Sequence, residues 1–596
     1  MKRNFYFGVA AAAIILIALA VIGTIIYKDY KEKHAPSEVV MPLDEYYAIT
    51  GEDVMVIIDE KVYDKKALWR NDAVYLDIDT VHEMYDTDRK FFWSEAENTL
   101  YYDVPGTVFR FFPGENGYYT NRSAVSAERP MAEIRDGVVY ICVDLLQKYS
   151  GITCSIYDAP HRILITYSDE AYLAAPAKED TQIRVSQSIK ADILKEVKAG
   201  DILRFIDGGG IREEGFIKVM SDDGVRGYIK ESALDESNYA DPVFAGYNAP
   251  QYSYTRLDRK VYLGWQLLYT SNSLDLLEAA VSQAPEVNVI SPTWFFLSDT
   301  DGNMIDYASM DYVRAAHNKG LQVWALYKND TIEGKFNCSE DSHTVLASYE
   351  SRTRLIDNII NSVETYGIDG VNIDFEMLKV DTGVYFIEFL KELSIECHSR
   401  GIILSVDNYV PENYNAYYNL SEQADVVDYI IIMGYDEHYA GSPEAGSVSS
   451  LGWFKNAIAN TVAKCGAEGV IMGVPFYTRL WKENGDKLTV EATPVMAEAA
   501  SIVKRAGVEP EWDEECGQYY AEWTNSGIYR IWLEEEESIR EKVYAAREAD
   551  LAGIAAWKLG DEKAGTWAVI VDAMEGELPA DDETDTGSDE ESGEGD

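Results

Sequence analysis

The chain has 596 residues and carries 103 acidic against 52 basic side chains, which gives a formal net charge of −51. Its length is enough for about three or four domains. The excess negative charge repels phosphate groups, so binding to nucleic acid or to anionic lipid by bulk electrostatics is excluded. The composition is typical of a soluble, exterior protein.

The N-terminus contains a candidate membrane span. Residues 5–27 are 23 consecutive residues without a charged side chain, enough to cross a bilayer core of about 30 Å. No clear small-x-small cleavage site follows, which favours a retained signal-anchor over a removed leader. Basic residues lie on both sides of the span, so the distribution of Lys and Arg does not predict which end is cytoplasmic. We expect residues 1–4 to be a cytoplasmic tail, residues 5–27 a single-pass anchor in the cell membrane and residues 28–40 a linker.

Residues 41–175 contain a weak internal repeat. In both halves an apolar strand pattern is followed by a short helical stretch and a further strand. This arrangement resembles the copper amine oxidase N-terminal-like modules of bacterial surface proteins. The resemblance implies an α+β stalk that acts as a spacer and carries no copper chemistry. The matching apolar positions are Val74, Leu76 and Ile78 in the first half and Val139, Ile141 and Val143 in the second.

Residues 181–236 read as five short strands separated by glycines, which predicts a small all-β barrel. The segments 186–189, 197–201 and 224–229 resemble a bacterial Src-homology-3-like domain. That resemblance implies binding of cell-wall peptide, with a purely structural spacer as the equally weighted alternative.

Between residues 244 and 578, eight runs rich in Val, Ile and Leu alternate with amphipathic helical stretches such as 348–366 and 384–398. This alternation predicts an α/β fold, a (β/α)8 TIM barrel. A probable hairpin at 518–524 and 528–533 predicts a small α+β insertion between the last two strands. The acidic tail, residues 579–596, is expected to be disordered. The eight predicted strands are 261–265, 287–292, 322–326, 369–376, 402–407, 428–434, 470–475 and 553–557.

The run from Asp369 to Glu376 carries the clearest chemical signal. Side chains alternate between the two faces of a strand, so Asn372, Asp374 and Glu376 share one face. Two carboxylates about 6–7 Å apart raise each other's pKa, and a carboxyl that keeps its proton near neutral pH suits a general acid. No Lys or Arg is present in this run to offset the charges.

This run resembles the Asp-Gly-x-Asp-x-Asp-x-Glu signature of glycoside hydrolase family 18, found on the fourth barrel strand. Asn372 stands where most of the family has aspartate, which resembles the subgroup of spore-cortex and cell-wall N-acetylglucosaminidases. The Met433-Gly434-Tyr435-Asp436 segment and the strand ending at Trp557 also resemble family motifs. The third strand, ending in Lys328-Asn329, departs from the Ser-x-Gly-Gly of typical chitinases, which weakens the case for chitin.

The resemblance implies retaining hydrolysis in which the substrate's acetamido group is the nucleophile, an exception to the usual pair of carboxylates. Glu376 would be the general acid and base, Asp374 would orient the acetamido group, and Tyr435 would donate a hydrogen bond to it. Asp369 would brace the strand from outside the direct contacts. No metal or cofactor is implied. The expected substrate-binding residues are Asp436, Trp557, Asn372, Tyr477, Arg479 and Trp294.

The sequence thus predicts a cell-surface glycosidase that cleaves β-linked N-acetylglucosamine, with peptidoglycan as the favoured polysaccharide. This substrate places the bulk of the chain outside the cell. A chitinase or a glycoprotein endoglycosidase is the nearest alternative, and an inactive sugar-binding barrel is the next. We also hypothesise that Asn372→Asp moves the alkaline limb of the pH–rate profile, because an added carboxylate disfavours ionisation of its neighbours.

Overall fold

The structure is a computed structural model that describes residues 2–84, 91–209, 212–213, 215–243, 250–268, 274–330 and 336–576. The chain divides into two compact units, residues 1–104 with 108–250, and residues 105–107 with 251–596. The predicted acidic tail, residues 579–596, lies outside the described residues.

The first unit begins with one long helix, Lys2–His34. Its most apolar window has a mean hydropathy of 2.9, and none of that window is buried. The helix continues past the predicted span, so the first part of the predicted linker, residues 28–34, is helical. Lys, Asp and Glu are compatible with a helix, and Lys33 Nζ pairs with Asp29 Oδ2 one turn earlier at 3.0 Å.

The predicted α+β segment follows. In both halves of the repeat a strand is followed by a helix, as predicted, and then by a hairpin in place of the single further strand that was predicted. The two repeated strands, Ala73–Asp77 and Val138–Cys142, pair with each other in antiparallel fashion. The helices of this segment are Leu43–Tyr47, Ile78–Met84 and Val143–Ser150. Its strands are Asp53–Ile58, Lys61–Val62, Ala67–Arg70, Ala73–Asp77, Phe91–Ser94, Thr99–Val104, Thr107–Phe111, Gly117–Thr120, Ser123–Ser126, Ala132–Arg135, Val138–Cys142, Thr153–Asp158 and His161–Thr166.

The last part of the first unit is all-β, but its sheet has eight strands over residues 172–240 where five were predicted over residues 181–236. Its strands form an antiparallel sheet around a core of fully buried aliphatic side chains that includes Ile183, Leu203 and Ile217. Short 3-10 turns lie at Ile206–Gly209 and Glu231–Ala233. The strands are Tyr172–Pro176, Thr181–Arg184, Ile193–Val197, Ile202–Phe205, Arg212–Glu213, Phe216–Met220, Arg226–Lys230 and Asn238–Ala240.

The second unit contains a closed barrel of eight parallel strands, which confirms the predicted fold class. Each strand pairs with its neighbours in chain order, and the first strand closes the barrel by pairing with both the second and the last. The barrel strands are β1 Val261–Gln266, β2 Val289–Leu297, β3 Gln322–Lys328, β4 Gly370–Asp374, β5 Ile403–Tyr409, β6 Tyr429–Met433, β7 Val470–Pro475 and β8 Gly553–Trp557.

Helices surround the barrel, and the largest apolar core lies between them and the strands. A smaller cluster, which includes Val261, Leu263 and Trp324, fills the interior of the barrel. The helices of this unit are Leu274–Gln283, Met310–Asn318, Glu340–Ala347, Tyr349–Tyr366, Gly383–His398, Leu420–Val426, Leu451–Cys465, Met496–Ala506, Glu536–Glu548 and Thr566–Glu575, with 3-10 turns at Val380–Thr382 and Asn413–Tyr418. A short strand, Met304–Asp306, pairs antiparallel with β2.

The predicted insertion between β7 and β8 is a five-stranded antiparallel sheet with the helix Met496–Ala506. The predicted hairpin has the expected bounds, and Asn525-Ser526-Gly527 forms its turn. The insertion strands are Leu480–Asn484, Lys487–Ala492, Glu511–Asp513, Gln518–Thr524 and Ile528–Leu533.

Candidate active site

The pairing of β3 with β4 positions the central charged groups. Lys328, the last residue of β3, lies opposite Asp374, the last residue of β4. Glu376 follows β4 by two residues and therefore lies at the C-terminal end of the barrel, where βα loops form the active sites of this fold. The alternation of β4 brings Asn372, Asp374 and Glu376 into one column along the inner face.

Asp374 is held by a lysine from the neighbouring strand. Lys328 Nζ lies 3.0 Å from Asp374 Oδ2 and 3.7 Å from Glu376 Oε1. The run 369–376 itself contains no basic residue, and the offsetting cation comes from the neighbouring strand β3. Asp374 is 4% exposed, and the structure gives its buried Oδ1 no hydrogen-bond partner among the described residues.

Glu376 has the properties of a general acid at this site. Its side chain keeps 35% of its surface exposed, so it is open to a ligand. Shielding from water and the negative charge of Asp374 raise its pKa from 4.5 to about 7. Lys328 and a hydrogen bond of 3.0 Å donated by the Tyr409 hydroxyl to Oε2 act in the opposite direction. A carboxyl with this pKa retains a proton at neutral pH and can release it.

The backbone of Glu376 is held by the side chain of Asn329. The Glu376 N–H donates to Asn329 Oδ1 at 2.9 Å, and Asn329 Nδ2 donates to the Glu376 carbonyl at 2.8 Å. Asn329 is 1% exposed and also donates to Ser342 Oγ at 2.9 Å. The amide therefore fixes the residue that carries the proton.

Asn372 lies deeper in the barrel than Asp374 and has no exposed surface. It is fully buried, its Oδ1 accepts hydrogen bonds from Trp265 Nε1 and Ser291 Oγ, and its Nδ2 donates to Asp407 Oδ1 at 2.8 Å. The prediction that Asn372 binds substrate is therefore wrong. Burial and the charge of Asp374 raise the pKa of Asp407 well above its ordinary value.

Tyr435, after β6, and Trp557, at the end of β8, are partly buried and pack against the interior cluster of the barrel. Burial raises the pKa of the Tyr435 hydroxyl well above its ordinary value. Tyr477 and the charges of the nearby Asp407, Asp374 and Glu376 raise it further. Trp557 is partly exposed at the end of β8, and its ring centroid lies 6.0 Å from that of Trp265. The peptide bond after Trp557 is cis.

Asp436, Tyr477 and Arg479 form a cluster at the rim. Asp436 Oδ1 accepts from the Tyr477 hydroxyl at 2.5 Å and from Arg479 Nη1 at 2.8 Å. Asp436 has a positive φ of 65°, which turns the chain sharply after β6. The Tyr477 ring lies 6.2 Å from that of Tyr435, so the cluster adjoins Tyr435.

Two other predicted site residues lie elsewhere. Trp294 is fully buried in the outer core, where its ring packs edge-on against Tyr312. The prediction that Trp294 binds substrate is therefore wrong. Asp369 precedes β4 and thus lies at the opposite end of the strand from Glu376. Its Oδ2 accepts from the Val323 N–H and interacts with His317 Nε2, both at 2.8 Å. These contacts tie Asp369 to β3 and to a neighbouring helix at the end of the barrel away from Glu376, and its bracing role stays a prediction.

The sequence interpretation assigned no role to Lys328, Asn329, Asp407 or Tyr409. All four come from β3, β5 or the residue after β3, and they meet β4 only through strand register. For Lys328 and Asn329, the departure of the third strand from the Ser-x-Gly-Gly of typical chitinases was the signal in the sequence that these positions have a different role here. Within the described ranges, no group of three or more His, Cys, Asp or Glu side chains is arranged to hold a metal ion, and all six cysteines are free.

Comparison with known proteins agrees with this geometry. Residues 295–562 match the family model of glycosyl hydrolases family 18. An uncharacterised glycosylase of Bacillus subtilis, YvbX, is 24% identical over 54% of this chain and 94% of its own length. The cortical fragment-lytic enzyme of Bacillus subtilis is 24% identical over 50% of this chain and 71% of its own length. A probable endochitinase of Caenorhabditis elegans is 25% identical over 36% of this chain and 40% of its own length. Residues 295–562 thus constitute a glycosyl hydrolases family 18 domain, and the protein is a glycoside hydrolase.

Proposed function

We propose that the protein hydrolyses β-linked N-acetylglucosamine linkages of peptidoglycan with retention of configuration. The observation that carries the proposal is the pair formed by Glu376, whose pKa is raised to about 7, and Asp374, whose buried Oδ1 has no hydrogen-bond partner among the described residues. A proton donor and a free carboxylate oxygen side by side suit a sugar that bears an acetamido group.

In the first step, Glu376 protonates the departing glycosidic oxygen while the acetamido oxygen of the sugar attacks C1. The glycosidic bond breaks, and an oxazolinium ion forms with its positive charge shared by the acetamido group. In the second step, Glu376 takes a proton from water as the water opens the ring at C1. The two inversions give net retention, and the substrate supplies the nucleophile.

Asp374 and Tyr435 serve the acetamido group in this scheme. Asp374 Oδ1 would accept the acetamido N–H, and its charge would stabilise the oxazolinium ion. The Tyr435 hydroxyl, which has a strongly raised pKa and so keeps its proton, would donate to the acetamido oxygen. Trp557, partly exposed at the end of β8, would pack one ring face against the sugar.

The choice of peptidoglycan rests on similarity and on layout. By its name, the cortical fragment-lytic enzyme lyses cortical fragments. Asn372 also resembles the subgroup of spore-cortex and cell-wall N-acetylglucosaminidases at that position of the motif. We further infer that the exposed apolar helix, Lys2–His34, anchors the chain in the cell membrane with the barrel outside. Binding of cell-wall peptide by residues 181–236 stays a prediction.

Reducing-end analysis of digests tests the proposal. The full chain would be incubated with purified peptidoglycan, chitin oligomers and N-glycans, in parallel with Glu376→Gln. We expect new N-acetylglucosamine reducing ends from peptidoglycan and a loss of about a thousandfold in Glu376→Gln. Glu444→Gln, at an exposed glutamate on the loop after β6, is the matched control and should match wild type.

The other outcomes distinguish the alternatives. Faster cleavage of chitin oligomers or N-glycans than of peptidoglycan would identify a chitinase or an endoglycosidase. Binding without turnover would identify an inactive carbohydrate-binding barrel, which the presence of Glu376, Asp374 and Tyr435 argues against.

A further inference from the structure

Lys328 is the one basic side chain that the described residues place against both carboxylates of the site. Its Nζ lies 3.0 Å from Asp374 Oδ2, 3.7 Å from Glu376 Oε1 and 3.8 Å from Asp330 Oδ2. Its side chain is 15% exposed. A lysine buried to this degree needs compensating charges, which these carboxylates supply.

The contacts of Asp374 are asymmetric. Lys328 binds Oδ2, while Oδ1 is buried and has no hydrogen-bond partner among the described residues. Asn372, the next residue down the same face, cannot bind Asp374 instead, because Trp265, Ser291 and Asp407 already occupy its amide. The orientation of the Asp374 carboxylate therefore depends on Lys328.

We propose that Lys328 is a positioning residue for the hydrolysis: its ammonium binds Oδ2 of Asp374, which keeps Oδ1 directed at the acetamido group, and it offsets the charge of Asp374 beside Glu376. This inference rests on the proposed function and extends it to a residue outside the β4 motif. Lys328 acts through the two carboxylates and does not itself contact the reacting atoms.

The surrounding charges give the proposal a measurable consequence. The ionisable groups that face Lys328 come from several elements. They are Asp374 at the end of β4, Glu376 just after β4, Asp330 just after β3, Asp407 on β5, and Cys338. Burial and Asp374 raise the pKa of Glu376, and Lys328 is the largest influence that lowers it. Loss of the ammonium should therefore raise the pKa of Glu376 further.

The test compares Lys328→Met and Lys328→Gln with Lys328→Arg in the full chain, on an N-acetylglucosamine oligosaccharide. For the two neutral variants we expect kcat to fall about a hundredfold with little change in KM, and the alkaline limb to move up by about one pH unit. Lys328→Arg should retain the wild-type limb and most of kcat. If Lys328→Met does not fold, Lys328→Gln decides.

Lys391→Met is the matched control. Lys391 is 17% exposed and lies 3.6 Å from a glutamate, Glu422, but it is on the helix Gly383–His398 outside the barrel. Lys391→Met should leave the pH profile of hydrolysis unchanged. Neutral variants of Lys328 that keep the wild-type limb and kcat would overturn the proposal.

Crystal structures of wild type and Lys328→Gln separate this inference from the proposed function. We expect the Asp374 carboxylate to rotate in the variant, whether or not the wild type hydrolyses the oligosaccharide. An unmoved Asp374 would overturn the positioning role. Absence of wild-type activity on every N-acetylglucosamine polymer would instead overturn the proposed function.

Discussion

At the scale of single residues, Tyr409 opposes the influences that raise the pKa of Glu376. Its hydroxyl donates to Glu376 Oε2 at 3.0 Å, and a hydrogen bond to the carboxylate favours the ionised form. Glu376 must be protonated to act as an acid, so activity should fall as the pH rises through about 7. In Tyr409→Phe the pKa of Glu376 should rise, and the alkaline limb of kcat/KM should move to higher pH.

The control for this change is Tyr418→Phe. The Tyr418 hydroxyl donates to the Phe375 carbonyl at 3.1 Å and accepts from the Leu378 N–H, without a hydrogen bond to Glu376. It should lose stability comparable to Tyr409→Phe but keep the wild-type limb. A downward shift in Tyr409→Phe would contradict the assignment of Glu376 as the acid.

Asn372→Asp tests the buried layer beneath the site. The new carboxyl would face Asp407, whose pKa is already raised by burial and by Asp374, so the pair would retain at least one proton. Any negative charge that the pair gains disfavours ionisation of Glu376, and the alkaline limb should move to higher pH. The pH–rate profile measures this, and an unchanged profile would show that position 372 is purely structural.

The residue scale also shows what the sequence could supply. Alternation within β4 grouped Asp374 and Glu376 correctly, because that pattern depends on one strand alone. Lys328 and Tyr409 were not recognised, because their contacts depend on the register between strands. Trp294 was misplaced for a related reason: Ser291 faces the barrel interior, so the same alternation directs Trp294 outward, but a single sequence does not say which parity faces inward.

At the scale of elements, apolar runs predicted all eight barrel strands, because strands covered on both faces are continuously apolar. The largest discrepancy is β2, predicted at 287–292 and observed at Val289–Leu297. The extended part of β2 pairs with Met304–Asp306. It follows a register shift between Thr293 and Phe295 in the pairing of β2 with β3. That pairing is not encoded in the local apolar pattern, so it could not be predicted.

The seam between β8 and β1 closes the barrel and requires glycine at 553. An added Cβ atom would overlap the Val261 carbonyl oxygen and lie 2.8 Å from the Val261 backbone carbon and nitrogen. Backbone cannot move aside as a flexible side chain can, so Gly553→Ala should lower the free energy of unfolding of the barrel by about 3 kcal/mol or more. Calorimetric melting of the full chain measures this.

Gly452→Ala is the matched control for the seam. Gly452 is exposed in the helix Leu451–Cys465, and an added Cβ atom there meets nothing within 4 Å. Alanine should leave the barrel transition unchanged or raise its stability by up to about 1 kcal/mol, since alanine favours helices. Equal effects of the two substitutions would show that the seam is not sterically restricted.

At the scale of the whole molecule, the charge of −51 bears on how the chain meets a membrane. Anionic headgroups repel such a protein, so peripheral attachment by electrostatics is unfavourable. The exposed apolar helix, which we proposed as the anchor, would then be the route to attachment. We expect the wild-type chain to sediment with membranes and to resist extraction at alkaline pH.

Two arginines in the middle of the span provide the decisive variant. Ile15 and Leu19 are 59% and 60% exposed, and each arginine near the centre of a spanning helix costs about 2.5–3.5 kcal/mol. The double variant Ile15→Arg, Leu19→Arg should therefore appear in the soluble fraction, whereas Ile15→Leu, Leu19→Ile should remain with the membranes. A soluble wild-type chain whose N-terminus begins after residue 27 would instead show that the helix is a removed leader. Two added arginines change the net charge only from −51 to −49, so the bulk charge opposes lipid in both double variants and their distribution reports on the apolar character of the helix.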